Sequence, residues 1–407
     1  MSYRYVGKEE LDAIAQVIER QECWRSGGLS DQESFVSRYE DAYAERTGRK
    51  YVHAVCTGSS ANQAALAGLG IGPGDEVIVP PCSYIASSQS IVALGAIPVF
   101  ADVEPRTLHI TPEAIEAAIT PHAKAVVVVH LWGLPADIEP IMQVARNHNL
   151  LVLEDCAQAH DVYYHGKLAG TFGDVACYST MPGKHLCTGE GGLVTTDDPD
   201  IYRRAVYYSN GGMTWLIRYG VKYPEPEPVN GVPTRGHFAF GSNRRMNELQ
   251  GAMGLVQVGK LDEFNARRRI LVDVIEEELG GVPGLRLAPV RPDTVPNFWL
   301  YPFTLDPAQT NLTATEFAEL CRQDHGTAPG VYSEVNYLEV VYQQMNQQRR
   351  TSVGYPLPDY VRYESGICPQ AESAAQRLLT LGVHHATDPE SLRAEVQAIA
   401  QTARQHL

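Results

Sequence analysis

Long apolar runs are missing from this 407-residue sequence. Segments such as residues 125–129 stop after a few positions, far short of the roughly 20 apolar residues that a membrane-spanning helix needs. No membrane partner is expected. The opening Met1-Ser2-Tyr3-Arg4-Tyr5 leads into a polar helical pattern and not into an apolar signal segment, so a cytoplasmic location is expected. Paired cysteines are missing too. The eight present (Cys23, Cys56, Cys82, Cys156, Cys177, Cys187, Cys321, Cys368) are scattered, and none forms a Cys-x-x-Cys pair. That argues against a zinc site or a disulfide framework and for reduced, buried thiols, with no metal expected. Positive charge is scarce: 33 Lys and Arg against 48 Asp and Glu leave a formal net charge of −15. A phosphate backbone would be repelled by such a chain, so nucleic acid is not an expected partner. The one compact basic run, Arg267-Arg268-Arg269, reads as a solvated helix face or an interface edge.

What is present is the pattern of an α/β protein. The length suggests two domains, a large one over residues 1–260 and a small α+β one over 261–407. Helical spacing over residues 8–20 and 33–47 flanks a loop, Trp24-Arg25-Ser26-Gly27-Gly28, which serves either as a plain connection or as the lip of a site. From residue 51 to 154, short β-rich runs alternate with amphipathic helices, the signature of a mostly parallel sheet wrapped on both faces. Residues 213–239 are irregular, and a long helix is expected from residue 247 to about 278. The C-terminal part shows no catalytic cluster and reads as a cover over the edge of the site.

Ligands of such sheets bind at the carboxyl ends of the strands. Those ends carry Gly58, Ser59 and Ser60, then Ser83 and Tyr84, His130, the group Glu154, Asp155, Gln158 and His160, and finally Ser179 and Lys184. Lys184 sits in a glycine-rich, nearly uncharged loop after an apolar run. An amine withheld from water loses proton affinity and becomes a nucleophile able to form a Schiff base. A trapping lysine, a carboxylate, a helix start for an anion and an aromatic plane together meet the needs of pyridoxal 5′-phosphate.

The motifs Thr57-Gly58-Ser59-Ser60-Ala61-Asn62, Gly72-Pro73-Gly74-Asp75-Glu76-Val77-Ile78, Glu154-Asp155-Cys156-Ala157-Gln158-Ala159-His160, Gly189-Glu190-Gly191-Gly192 and Gly241-Ser242-Asn243-Arg244-Arg245-Met246 occur in this order. With them, over nearly its whole length, the chain resembles the DegT/DnrJ/StrS family of fold-type I pyridoxal-phosphate enzymes, mostly sugar and cyclitol aminotransferases. The resemblance implies an aspartate aminotransferase-like fold with a mainly parallel seven-stranded sheet. It implies Lys184 as the catalytic, cofactor-bearing lysine and Asp155 as partner of the pyridine nitrogen. Gln158 would lie against the ring or its phenolic oxygen, Tyr84 would stack on the ring, and Ser59, Ser60 and Ser179, with Gly58, would hold the phosphate. Asn243 would reach the cofactor of a neighbouring subunit, which implies a homodimer with shared sites, and His160 would stand behind Asp155.

The implied reaction is a ping-pong transfer from glutamate or glutamine to a keto-sugar, with pyridoxamine 5′-phosphate as the aminated carrier. A cyclitol acceptor is the alternative. A sugar dehydratase would carry His in place of the lysine; His185 is adjacent, but Lys184 fits the spacing from Ser179. A non-catalytic homologue would show lesions at Lys184, Asp155 or the phosphate loop, and none is found. The chain departs from the family at Arg244, where Tyr is common, and at Leu379-Thr380-Leu381-Gly382-Val383-His384-His385, where Leu-Pro-Leu-His is usual; both bear on the acceptor. Arg25 and Arg244 are candidate substrate contacts, and Trp132, Trp215, Arg218, Arg235 and Tyr332 are further residues that either line the pocket or serve the fold.

Overall fold

A computed structural model describes residues 5–25 and 29–407 of the chain. Ser26, Gly27 and Gly28 of the loop singled out above lie outside the described residues. Seven strands form the main sheet: β1 (Tyr51–Val55), β2 (Glu76–Val79), β3 (Ile97–Phe100), β4 (Ala123–Val129), β5 (Leu151–Asp155), β6 (Val175–Ser179) and β7 (Gly192–Thr196). Their order across the sheet is β1-β7-β6-β5-β4-β2-β3. β7 runs antiparallel to both β1 and β6, whereas every other adjacent pair is parallel. The central strands are buried on both faces, which is why β4 reads Ala-Val-Val-Val-Val at residues 125–129 without polar alternation.

The register fixes where the strands end together. Val129 pairs with Asp155, Asp155 with Cys177, and Gly192 with both Ser179 and Val55. One sheet edge thus gathers residues that are far apart in sequence. Alternation along β5 then sorts two adjacent carboxylates. Asp155 faces that edge, while Glu154 is buried where it accepts the amides of Gly170, Phe172 and Gly173 and contacts His130 Nε2 at 2.9 Å. His130 and Glu154, named among the strand-end candidates, therefore belong to a structural knot. Cys156 approaches them within ion-holding distance, but the lone pairs of Glu154 are already occupied by hydrogen bonds.

The long helix expected from residue 247 is two helices, Glu248–Gly259 and Leu261–Leu279. The break falls at Lys260, whose Nζ is held by Glu9 and Glu10, and Asp262 and Glu263 then suit the positive end of a new helix. Beyond it, an antiparallel sheet orders Leu285–Leu287, Leu300–Leu305, Leu378–Gly382 and Gly330–Val331 side by side. The strand Leu378–Gly382 and the helices Val340–Gln348 and Pro369–Ala375 were not anticipated. The strand is a short run, Leu378-Leu379-Thr380-Leu381-Gly382, that gains its identity by pairing with Leu300–Leu305 and Gly330–Val331. Apolar residues of both sheets share one continuous core, including Val55, Val129, Tyr301 and Phe303. The basic run also differs from expectation: Arg268 is 1% exposed.

Candidate active site

A cavity of about 520 Å³ opens at the carboxyl edge of the main sheet. Thr57, Gly58, Ser59, Asn62, Tyr84, Ser87, Asp155, Gln158, Ser179 and Lys184 all line it, with Trp299 entering from the C-terminal part.

One wall is the start of the helix Gly58–Gly68. Thr57 caps it: its Oγ1 accepts the Ser60 amide at 3.0 Å and its carbonyl accepts the Ala61 amide at 3.0 Å. The amides of Gly58 and Ser59, the first two helical residues, are thereby left pointing out of the helix, where an anion can take them. Glycine at 58 is required by a close approach, since a Cβ there would stand 2.6 Å from Ser179 Cβ. Ser60 is turned inward and does not line the cavity; its Oγ accepts Thr57 Oγ1 at 2.9 Å. Arg244 lies just behind it, 3.5 Å from Ser60 Oγ and over the Tyr208 ring at 5.4 Å.

The opposite wall is Asp155, which is 3% exposed. Its Oδ2 accepts Asn62 Nδ2 at 3.1 Å and Ser87 Oγ at 2.8 Å, and Oδ1 accepts the Ala157 amide at 3.0 Å. These three donors fix the plane of the carboxyl group. Gln158 lines the cavity with its Oε1 held by the Trp132 amide at 2.9 Å. Tyr84, 62% exposed, stands at the mouth as an uncovered aromatic face.

Lys184 is 7% exposed, and its Nζ lies 3.4 Å from the centroid of the Trp299 ring. Trp299 Nε1 donates to the Gly183 carbonyl at 3.0 Å, so the ring is pinned to the lysine's own loop. Burial, and to a lesser degree the nearby Arg268 charge, push the amine down to about 7, while Asp155 pulls the other way. The neutral amine is therefore well populated at neutral pH. His185 faces away from this cavity: its Nε2 is hydrogen-bonded with the Asn297 carbonyl at 2.7 Å, and it is fully buried.

His160 does not reach Asp155. Its Nδ1 meets the Tyr43 hydroxyl at 2.8 Å and its Nε2 the Ser179 carbonyl at 2.9 Å. Burial pushes it down to about 4, so it is a neutral brace behind β6. Arg25 is likewise placed elsewhere, 2% exposed and locked to both oxygens of Glu40 at 2.7 Å. Arg218 joins the same Glu40, together with Asp31 and Asp41. Trp132 is fully buried, with its Nε1 donating to the Thr107 carbonyl, and Tyr332 meets its ring edge-on at 4.6 Å. Trp215 lies under Arg245, and Arg235 is exposed. None of these residues lines the cavity. Asn243 is exposed and bridged to Asn210, outside the cavity of its own chain.

Asn62, Ser87 and Trp299 are among the lining residues that the sequence reading did not name for the site. Asn62 carried a signal, a polar residue in the stripe of Ala61, Ala64 and Ala65 that packs into the core. Ser87 carried a weaker one, its partner Ser83 lying one turn earlier at 2.9 Å. Trp299 carried none, since only the packing of the two sheets brings it over Lys184.

A mainly parallel seven-stranded sheet with a buried lysine amine and a buried carboxylate across one cavity at its carboxyl edge defines the fold-type I class of pyridoxal-phosphate transferases. Residues 6–400 match the DegT/DnrJ/EryC1/StrS aminotransferase family, and the chain belongs to it. It is 40% identical over 258 residues to the GDP-perosamine synthase of Caulobacter vibrioides, a match covering 63% of this chain and 65% of that protein. It is 31% identical to the L-glutamine:2-deoxy-scyllo-inosose aminotransferase of Micromonospora echinospora, over 97% of this chain and 92% of that protein. Among solved structures, an aminotransferase from Psychrobacter cryohalolentis superposes with a TM-score of 0.83 at 29% identity, covering 98% of each chain.

Proposed function

We propose that this aminotransferase carries an amino group from glutamate or glutamine to a keto-sugar, nucleotide-linked in the cell, with pyridoxal 5′-phosphate as its cofactor. The observation behind this reading is that the Lys184 amine, the Asp155 carboxylate and the start of the helix Gly58–Gly68 all face one cavity. The residues fit the cofactor. The backbone at Gly58 comes close enough to Ser179 that no side chain could intervene, which leaves the Gly58 and Ser59 amides, with the Ser59 and Ser179 hydroxyls, for the phosphate. When bound, pyridoxal phosphate supplies an aldehyde carbon for amines and a conjugated ring that accepts electrons from a substrate Cα.

Asp155, held by Asn62, Ser87 and Ala157, would hold the protonated ring nitrogen. Tyr84 and Gln158, which line the same cavity, would hold the ring. Lys184, with its amine at about 7, would be the nucleophile that holds the cofactor and, when free, the base that takes a proton from the substrate Cα. Trp299 covers that amine and excludes water from it. The same residues work in reverse on the acceptor ketone.

A cyclitol acceptor is the second reading, favoured by the near full-length match to the inosose aminotransferase. The proposed assembly is a homodimer, in which Asn243, exposed and outside its own cavity, serves the cavity of a second copy, and the proposed domain division is at residues 260/261. A cytoplasmic setting belongs to the same proposal; no described helix is long and apolar enough to cross a membrane. Borohydride reduction of the cofactor-loaded protein followed by peptide mapping should label Lys184. Incubation with keto-sugars and inososes, each with glutamate or glutamine, then identifies acceptor and donor. A label on any residue other than Lys184 would remove the basis of the reading.

A further inference from the structure

Arg268, on the helix Leu261–Leu279, is 1% exposed. It has no carboxylate partner among the described residues. Its guanidinium donates instead to three main-chain carbonyls from three segments: Lys184 at 3.1 Å through Nη2, Phe298 at 3.0 Å through Nη1, and Val383. Two of these contacts matter for the site. The first is on Lys184 itself. The second is on the residue before Trp299, whose ring covers the lysine amine and is pinned in turn to the Gly183 carbonyl. One side chain of the C-terminal part thus grips the lysine and its cover together.

An arginine satisfied by carbonyls keeps its charge uncompensated. Burial pushes the guanidinium down to about 9, which leaves it charged at neutral pH. The groups around it share the consequence. His160 and His185 on the lysine side, and His384 and His385 beyond Val383, are all pushed down, burial being the largest cause and the Arg268 charge an added one. All four are neutral. The Arg267 guanidinium holds the His385 carbonyl, and Asp155 is the carboxylate that acts on Lys184.

We infer that Arg268 is a positioning residue for Lys184, fixing the lysine and its Trp299 cover through their main chain while setting an uncompensated positive charge against the amine. This rests on Lys184 being the reactive amine. Arg349 also bonds main-chain carbonyls, those of Leu357, Pro358 and Val361; what sets Arg268 apart is that it is fully buried and that two of its carbonyls belong to Lys184 and to the residue before Trp299. An unpaired charge in this place opposes protonation of the lysine in the way a neighbouring cation activates an amine nucleophile.

The test is competitive labelling of the cofactor-free full-length protein with acetic anhydride across pH 5 to 10, reading the Lys184 peptide by mass spectrometry. In the natural protein the labelling midpoint should lie near neutrality. Arg268→Gln should move it up by on the order of one pH unit, a roughly fivefold loss of neutral amine at pH 7. Arg268→Lys keeps the charge and should restore most of the midpoint, even though it cannot bond three carbonyls. An unchanged midpoint in Arg268→Gln, with only a lower melting temperature in both variants, overturns the inference. So does failure of both variants to fold, which would assign Arg268 to the fold alone. The cofactor reading fails separately, if borohydride reduction leaves Lys184 unlabelled.

Discussion

Two buried arginines in this molecule are handled in opposite ways. Arg25 meets both oxygens of Glu40, and Glu40 also draws Arg218 and the Ala54 amide. Burial alone would raise Glu40, yet Arg25, His53 and Arg218 hold it well below the usual carboxylate range. Arg25 is raised despite its burial. That cluster ties the N-terminal helices to the irregular segment after residue 212, and its charges are spent on one another. Arg268, equally buried, has only carbonyls, and its charge reaches Lys184 and four histidines. Neutralised charge builds a joint, whereas uncompensated charge acts on its neighbours. Only the second kind can tune a reactive group.

The largest effect that would probe this contrast is at the tuned group. Lys184→Ala should leave a folded protein whose transamination falls by at least about 10³-fold, measured by amino-acid-dependent product formation; residual turnover near the natural rate would reassign the catalytic lysine. Next comes the joint. Glu40→Gln strips the partner from Arg25 and Arg218 and should cost about 3–5 kcal/mol of stability, read by urea unfolding. A cost below about 1 kcal/mol would dissolve the distinction between the two arginines.

A smaller effect is expected at Asp155. Ser87→Ala removes one of its three donors and should reduce turnover by about tenfold to a hundredfold, the worth of a hydrogen bond to a charged acceptor, with little change in melting temperature. Equal turnover in the two proteins would mean that Asn62 and Ala157 suffice.

The smallest effect, per unit of pH, is the linkage at Lys184, where the two regions should act on opposite limbs of the stability curve. In the cofactor-free protein the folded amine sits at about 7 against an ordinary 10.5. Between those values the unfolded chain binds more protons, so stability should rise with pH by up to about 1.4 kcal/mol per unit from this group. Lys184→Met should flatten that rise. Glu40 works at the acid end: its stabilisation is complete above its ordinary 4.5 and is lost as pH falls below it. Unfolding curves at pH 7, 8 and 9, and again at pH 3 to 5, separate the two. An identical slope in Lys184→Met and the natural protein on the alkaline side would show that the amine is not depressed.

Much of the fold could be read from residues alone. The helices Lys8–Arg20 and Phe35–Thr47 stand where periodicity put them, Pro112–Ala118 and Ile138–Asn147 fall within the alternating stretch of residues 51–154, and local chemistry explains some of their ends: Ser34 before Phe35 and Thr111 before Pro112 are side-chain caps. Lys184, Asp155, Gly58, Ser59, Tyr84, Gln158 and Ser179 do meet in one cavity, because strand ends in a parallel sheet must converge. Arg25 and Trp132 looked equally available, a cation and an aromatic in glycine-bearing loops. Their composition gave no warning that Glu40 and the Thr107 carbonyl would claim them. The break at Lys260 was hidden as well, since both helices share a continuous apolar pattern.

The sequence by itself determined the α/β alternation, the residues at the strand ends and the place of Lys184 in a glycine-rich loop after one of them. Those follow from local periodicity and from the short spacing between a strand and the helix that leaves it. The tertiary structure decided what surrounds that lysine. Trp299 lies over its amine and Arg268 holds its carbonyl, from positions 115 and 84 residues later in the chain (299 minus 184; 268 minus 184). No local pattern encodes such contacts. They exist because the second sheet packs against the first in one continuous core, and that packing sets the burial and the charge around the Lys184 amine.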